Sequence, residues 1–182
     1  MNITLPDGSV RTLDTGSSGH DLANDIGPGL AKAALAISVN GIQKDLSDPI
    51  NEDSEVSIIT IDSEEGLEIM RHTLTAQVLA RAVKNLYPDT KLAIGPTIKD
   101  GFYYDFEFVE SIAPDDLDKI EKEMQKIINS KSEITKKIHS KKDALKVFGS
   151  NGESYKESII NESNQEDNFQ LYYQDDDEFV DL

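Results

Sequence analysis

The sequence contains no cysteine, and this absence excludes several kinds of site. Without a thiol there is no disulfide, no cysteine nucleophile and no thiolate ligand for a metal ion. The three histidines, His20, His72 and His139, lie far apart in the sequence, so we expect no transition-metal site. The lack of cysteine is compatible with a reducing compartment, and we expect the protein to be cytoplasmic.

Long apolar runs and phosphate-binding loops are also missing. No stretch is long and apolar enough for a membrane span, and no leader of the secretory type follows Met1. The pattern Gly-x-x-x-x-Gly-Lys-Ser/Thr does not occur, so the sequence carries no such ATP-binding signature.

Positive charge is scarce. The chain has 18 Lys and Arg against 35 Asp and Glu, and its net charge is −17. After Lys156 the sequence has nine acidic residues and no Lys or Arg. Nucleic-acid affinity depends on cations at the phosphates, so we expect weak or no binding of RNA and no binding of DNA by this chain alone. The acidic stretch is most simply a solvated surface, and the run at 175–178 is suited to keeping a terminal strand edge from aggregating.

Residues 1–62 have the pattern of a small strand-rich domain. Ile3 and Leu5 alternate with polar residues, the dipeptide Asp7-Gly8 is typical of a hairpin turn, and a second strand follows. A helix is predicted to begin at Ser18 or Gly19 and to end at residues 27–29, and strands are predicted at 36–39 and 56–61. This order predicts a β-grasp fold, in which a helix packs across a mixed sheet.

Residues 63–182 predict a second α+β domain. A connecting helix at 64–87 would be capped by Asp62 or Ser63 and stopped by the dipeptide Tyr87-Pro88. Further helices are predicted at 114–130 and 141–148, and strands are predicted at 92–94, 102–108, 133–139, 169–173 and from Phe179 onward. The apolar residues expected to point inward from the helix at 114–130 are Leu117, Ile120, Met124, Ile127 and Ile128.

Four stretches of the first domain resemble the TGS domain, a β-grasp module shared by threonyl-tRNA synthetases, some GTPases and stringent-response enzymes. They are residues 5–9 (LPDGS), 25–31 (DIGPGLA), 39–41 (VNG) and 58–60 (IIT). The resemblance implies an RNA-facing or regulatory accessory module without catalytic residues.

Five stretches of the second domain resemble the editing domain of bacterial-type threonyl-tRNA synthetase, in the same order and with similar spacing. They are residues 65–72 (EGLEIMRH), 91–96 (KLAIGP), 101–106 (GFYYDF), 152–156 (GESYK) and 179–182 (FVDL). The resemblance implies a parent enzyme that attaches threonine to its tRNA with ATP and hydrolyses mischarged seryl-tRNA. The tRNA(Thr) acceptor end would be the partner. In the family, ATP, magnesium and zinc belong to a separate catalytic domain, so we expect no cofactor in this chain.

The editing helix of this family carries two histidines four residues apart, which lie on one face and act as general acid/base groups. If the family helix is aligned on residues 76–80, Thr73 and Gln77 occupy these positions. If it is aligned on Arg71-His72 instead, His72 and Ala76 occupy them. His72 and Gln77 are five residues apart and share a cleft only if the helix contains a π-bulge. A glutamine forms hydrogen bonds but does not transfer protons near neutral pH. We therefore predict a degenerate catalytic pair formed by His72 and Gln77, with Thr73 at the substrate.

Further site residues follow from the same resemblance. Lys156 would approach the terminal phosphate or sugar of the tRNA, Tyr104 or Tyr103 would line the pocket, and Asp181 would bind the amine or hydroxyl of the substrate. The ordinary alternatives are a core role for Tyr104 on the apolar face of a strand and a surface role for Lys156. His139 is expected to face solvent.

We predict that the chain is the N-terminal part of a threonyl-tRNA synthetase and that alone it is inactive or nearly so. In the family, the stretch at 179–182 continues into Cys-Arg-Gly-Pro-His, which supplies further editing residues. Full editing is therefore not expected of this chain. The alternatives are a free-standing TGS-containing module that binds RNA or protein, and a separate hydrolase that acts on seryl-tRNA.

Overall fold

A computed structural model shows two compact units, Met1–Met70 and Arg71–Leu182. The structure describes residues 1–175 and 178–182. Asp176 and Asp177, which belong to the predicted protective acidic run, lie outside the described residues. Within the described ranges, none of the helices has both the length and the apolar character needed to cross a membrane.

The first unit is built on a five-stranded mixed sheet with the order β2-β1-β5-β3-β4. Strand β1 runs parallel to β5, and the other neighbouring pairs are antiparallel. This arrangement confirms the predicted β-grasp order, although β4 was not predicted from the sequence. The elements are β1 (Asn2–Thr4), β2 (Val10–Thr12), α1 (Gly19–Ile26), α2 (Pro28–Ala33), β3 (Ala34–Val39), β4 (Ile42–Asp45) and β5 (Ser54–Thr60).

Helix α1 covers the core of the first unit and begins where the sequence predicts. Ser18 Oγ accepts a hydrogen bond from the Asp21 amide, and the Asp21 carboxylate accepts one from the Ser18 amide at 2.8 Å. This capping box satisfies two amides that the helix itself leaves unpaired. The buried side chain of Leu22 then packs into a core with Ile3, Ile37 and Val56.

The predicted helix at 64–87 consists of three consecutive helical segments. They are α3 (Glu64–Thr73), a π-helix (Leu74–Leu79) and α4 (Ala80–Leu86). Ser63 caps the start, because its Oγ accepts a hydrogen bond from the Gly66 amide at 3.0 Å. The end before Pro88 agrees with the prediction. In the π-helix the hydrogen bonds reach back five residues, as from the Ala80 amide to Thr75 O.

The second unit combines further helices with short antiparallel sheets. Three strands form one sheet in the order β10-β11-β12, and β6 pairs with β9 while β7 pairs with β8. The bounds are β6 (Lys91–Leu92), β7 (Thr97–Ile98), β8 (Gly101–Phe102), β9 (Phe106–Glu107), α5 (Pro114–Ser130), β10 (Ile134–His139), α6 (Lys141–Ser150), α7 (Ser154–Glu162), β11 (Phe169–Gln174) and β12 (Phe179–Asp181).

The single strand predicted at 102–108 is wrong. The chain leaves the strand conformation between β8 and β9, where the amide of Tyr103 donates to Pro96 O and that of Asp105 donates to Ile94 O. The ring of Tyr104 stacks on Phe106 with centroids 4.5 Å apart. The alternating aromatic residues therefore pack on one another in an irregular segment.

Two burial predictions are also wrong. Leu117 and Ile128 of α5 are 59% and 47% exposed, because they lie at the margin of the face formed by Ile120, Met124 and Ile127. His139 is half-buried rather than solvent-facing, and its Nε2 lies 3.0 Å from the hydroxyl of Tyr173.

Candidate functional site

The π-helix contains one residue of the predicted catalytic pair and begins two residues after the other. Gln77 belongs to it and is buried, at 5% exposure, whereas His72 precedes it and is exposed. Thr75 is also fully buried, and its hydroxyl donates to the carbonyl of Arg71 at 2.7 Å. The structure thus contains the bulge that a shared cleft for His72 and Gln77 requires, but it buries only Gln77.

Gln174, at the end of β11, holds both polar groups of Gln77. Its Nε2 donates to the backbone carbonyl of Gln77 and to Oε1 of the Gln77 side chain, each at 2.7 Å. Its own Oε1 accepts from Nη1 of Arg81 at 2.9 Å. Gln174 therefore satisfies a carbonyl of the π-helix and fixes the Gln77 side chain, a role that sequence reasoning missed.

Arg81 links α4 to Asp175 and Glu178, which lie next to β11 and β12 in the sequence. Its Nη1 lies 2.6 Å from Asp175 Oδ2, and its Nη2 lies 3.1 Å from Glu178 Oε2. Hydrogen bonds from Ser132 and from Arg81, in that order, lower the pKa of Asp175. A guanidinium that contacts several acceptors is held in a defined orientation.

Lys156 and Asp181 form a buried ion pair. Nζ of Lys156 lies 2.7 Å from Oδ1 of Asp181, and the two side chains are 9% and 5% exposed. The surface role considered for Lys156 is therefore wrong. Among the described residues, Asp181 Oδ1 is the one fully buried side-chain oxygen or nitrogen without a hydrogen-bond partner. The short distance is thus a charge contact whose angles do not suit a hydrogen bond.

Tyr104 lies beside this pair. Burial raises the pKa of its hydroxyl well above the usual value, and the negative charges of Asp181 and Glu153 raise it further. The ring sits against Gly95, where any Cβ atom would collide with it and would come within 2.7 Å of Thr75 Cγ2. The close approach of this ring to the π-helix thus depends on a glycine at position 95.

Glu153 fixes the start of α7, the helix that carries Lys156. One carboxylate oxygen lies 2.7 Å from Nζ of Lys84, and the other accepts from the amide of Leu92 at 3.1 Å. Glu153 is 4% exposed. It lies within the stretch at 152–156 that resembles the editing domain, but nothing in the sequence distinguished its role.

The β11–β12 register shows how these groups share one face of the sheet. Gln174 pairs with Phe179 and Tyr172 pairs with Asp181, so side chains two apart on each strand point the same way. Phe179 packs on Ala80 in a cluster that also includes Tyr104. The sheet face with Gln174 and Asp181 therefore faces the helical segment that carries Gln77.

The predicted site residues thus divide into two groups. Lys156, Asp181 and Tyr104 lie together, and Gln77 is buried and held by Gln174, whose side chain is on the same sheet face as that of Asp181. His72 and Tyr103 are exposed, and Thr73 is half-buried at the end of α3. No group of three His, Asp or Glu among the described residues is placed to hold a metal ion. The first group offers a cation, a carboxylate, a phenol and a carboxamide, which suit the binding of a polar ligand.

Known proteins match the chain in two ways. Residues 1–60 match the TGS domain family. The whole chain is 45% identical over 182 residues to threonine–tRNA ligase 1 of Bacillus subtilis (strain 168), of which it covers 28%. It is 44% identical over 174 residues, 96% of the chain, to the threonine–tRNA ligase of Rhodospirillum rubrum, of which it covers 27%. It is 43% identical over 182 residues to the threonine–tRNA ligase of Bacillus velezensis, of which it covers 28%. The chain thus spans little more than a quarter of the length of these curated relatives.

Proposed function

Since the chain matches the N-terminal part of bacterial threonyl-tRNA synthetases over its whole length, we propose that it serves as that part of such an enzyme. The parent protein attaches threonine to its tRNA with ATP, in the cytoplasm. Residues 63–182 form part of an editing domain that receives the acceptor end of tRNA(Thr) carrying serine.

The observation that carries this proposal is the buried pair of Lys156 and Asp181. Taking two charges out of water is costly, and such a pair is weak evidence for stability alone. It combines residues from two of the stretches that resemble the editing domain, at 152–156 and 179–182, with Tyr104 from a third. An ammonium and a carboxylate side by side offer complementary partners to an aminoacyl ester, whose oxygen atoms accept hydrogen bonds and whose amine is positive.

The weak point of the site is proton transfer. Gln77 occupies the buried position on the helix, and its carboxamide neither gains nor loses a proton near neutral pH. His72, the histidine on this helix, is exposed. We infer that the site binds the acylated end and hydrolyses it more slowly than a site with two imidazoles.

A chimeric enzyme tests this function. The matching segment of the Bacillus subtilis ligase would be replaced by this chain, and threonylation and clearance of seryl-tRNA(Thr) would be measured side by side. We expect threonylation close to that of the parent ligase, because the replaced segment covers 28% of its length and the rest of the ligase is unchanged. We expect slower clearance of seryl-tRNA than by the parent, and a further loss with Lys156→Ala.

The matched control is Lys142→Ala, which removes an exposed lysine on α6. Equal clearance by the chimera with Lys156→Ala and by the one with Lys142→Ala, with threonylation intact in both, would refute an editing role for this site.

A further inference from the structure

Arg81 determines the direction of a chain of hydrogen bonds that ends at Gln77. A guanidinium has donors and no acceptor, so the Gln174 atom that faces Arg81 at 2.9 Å must be the carboxamide oxygen. The Gln174 nitrogen then faces the π-helix, where the backbone carbonyl of Gln77 can only accept. The nitrogen and oxygen of a carboxamide are assigned from their hydrogen-bond partners. For Gln174, two independent partners, Arg81 and the Gln77 carbonyl, give the same assignment.

The orientation of the Gln77 side chain follows from that of Gln174. Since Gln174 Nε2 also donates to the side chain of Gln77, the atom it meets at 2.7 Å must be Oε1. The NH2 group of Gln77 consequently points away from Gln174. Within residues 1–175 and 178–182, this NH2 donates to no protein atom, and it is not among the fully buried atoms without a partner. It therefore remains open to solvent or to a ligand.

The geometry points to Gln77 as a donor-only binding position, with Gln174 and Arg81 as positioning residues that hold its carboxamide with the N–H groups outward. This inference rests on the proposed function, because it names the kind of ligand atom that the site receives at this point. That atom is an oxygen that accepts hydrogen bonds, such as the carbonyl oxygen of an aminoacyl ester. A ligand group that can only donate would meet the NH2 of Gln77 without forming a hydrogen bond.

Two consequences separate this position from one occupied by histidine. Its hydrogen-bonding character does not change between about pH 5.5 and pH 8, since neither a carboxamide nor a guanidinium titrates there. It also depends on Gln174, the partner of Gln77. If the group at position 174 could only accept hydrogen bonds, the Gln77 carboxamide would turn its NH2 group toward it. Gln174→Glu supplies this reversal, since a carboxylate still binds Arg81 but can only accept from Gln77.

The experiment measures binding of an amide-linked, non-hydrolysable analogue of 3′-seryl-adenosine to the full chain. We expect the unmodified protein to bind and Gln77→Glu and Gln174→Glu to bind at least tenfold more weakly. Gln77→Ala should lose less affinity than these two variants, because it removes the donor without adding a repulsive oxygen. Gln170→Glu is the matched control, since Gln170 lies exposed on the same strand and the change adds the same charge. The ratio of the affinities of the unmodified protein and Gln77→Ala should stay constant across the stated pH range, because the amine of the analogue titrates in both measurements.

Amide exchange measured by NMR provides a second readout that needs no ligand. The side-chain amide of Gln174 should exchange slowly and that of Gln77 quickly, and Gln174→Glu should protect the amide of Gln77. Binding by Gln77→Glu or Gln174→Glu equal to that of Gln170→Glu would overturn the inference and leave the proposed function standing. Slow exchange at Gln77 in the unmodified protein would also overturn it. If the analogue does not bind while the exchange pattern is as expected, the proposed function fails and the orientation of Gln77 holds.

Discussion

Nζ of Lys156 and Oδ1 of Asp181 lie 2.7 Å apart, and each side chain is less than a tenth exposed. Lys156 comes from α7 and Asp181 from β12, so the contact joins two elements of the second unit. A buried carboxylate that loses its cation is left without charge compensation. The pair is therefore a candidate binding feature, and the stability of the second unit also depends on it.

Lys156→Met should destabilise the second unit by about 3–5 kcal/mol, because it leaves Asp181 buried and unpaired. Adding Asp181→Asn should recover part of this loss, since the uncompensated charge disappears. Urea unfolding followed by tyrosine fluorescence measures the effect selectively, because all six tyrosines lie between residues 87 and 173. Lys142→Met serves as the control, and equal stability of the two single variants would contradict the prediction.

Gly95→Ala should destabilise the second unit by about 1–3 kcal/mol, the usual range for overpacking. The new methyl group would collide with the ring of Tyr104 and crowd Thr75, so one of the two must move. Gly101→Ala is a matched control from the same region, because a Cβ there meets no atom within 4 Å. Thermal unfolding and the near-ultraviolet circular dichroism of tyrosine should change for the first variant only.

Local signals in the sequence predicted many elements well. Helix α5 has the predicted bounds, because Pro114 suits the first turn of a helix and apolar residues recur along one face. Strand β12 begins at Phe179 as predicted, and Ser18 with Asp21 marks the start of α1. In each case the residues that determine the element lie within a few positions of it.

The contacts of the site depend on distant residues, and this limited what the sequence could predict. Gln174 and Gln77 are 97 positions apart, and Arg81 and Gln174 are 93 apart. Lys156, Tyr104 and Asp181 were identified by resemblance to a family, whereas Glu153 and Gln174 became visible only once the fold brought their partners together. The π-helix was anticipated only as a condition, since His72 and Gln77, five residues apart, could share a cleft only if the helix contained a π-bulge.

Tyr104→Phe should make the second unit more resistant to alkaline unfolding. Burial and nearby carboxylates raise the pKa of Tyr104 in the folded protein. A raised folded pKa means that stability is fully present below the unfolded value of about 10 and declines as the pH rises above it. At pH 11 the unmodified protein should therefore lose about 1.4 kcal/mol that the variant keeps.

Urea unfolding at pH 7 and at pH 11 measures this difference, with Tyr103→Phe as the control because Tyr103 is 55% exposed. A difference between Tyr104→Phe and the unmodified protein that is the same at both pH values would argue against a raised pKa in the folded state.

Gln77→His should introduce an imidazole that stays neutral at pH 7. The position is 5% exposed, so burial favours the neutral ring. We expect the pKa of the introduced imidazole to fall below the usual ~6.5. Because its folded pKa is lowered, the variant should lose stability relative to the unmodified protein as the pH falls below that value.

A neutral imidazole at this position is able to accept a proton, so Gln77→His should also raise the rate of seryl-tRNA hydrolysis by the chimeric ligase. The pKa is measured by NMR titration of the imidazole protons, and the rate by release of labelled serine. Gln77→Asn is the control for the rate, because it keeps a carboxamide and gains no base. A pKa at or above 7, or equal hydrolysis by the two variants, would show that the polar groups around Gln77 do not prepare this position for a general base.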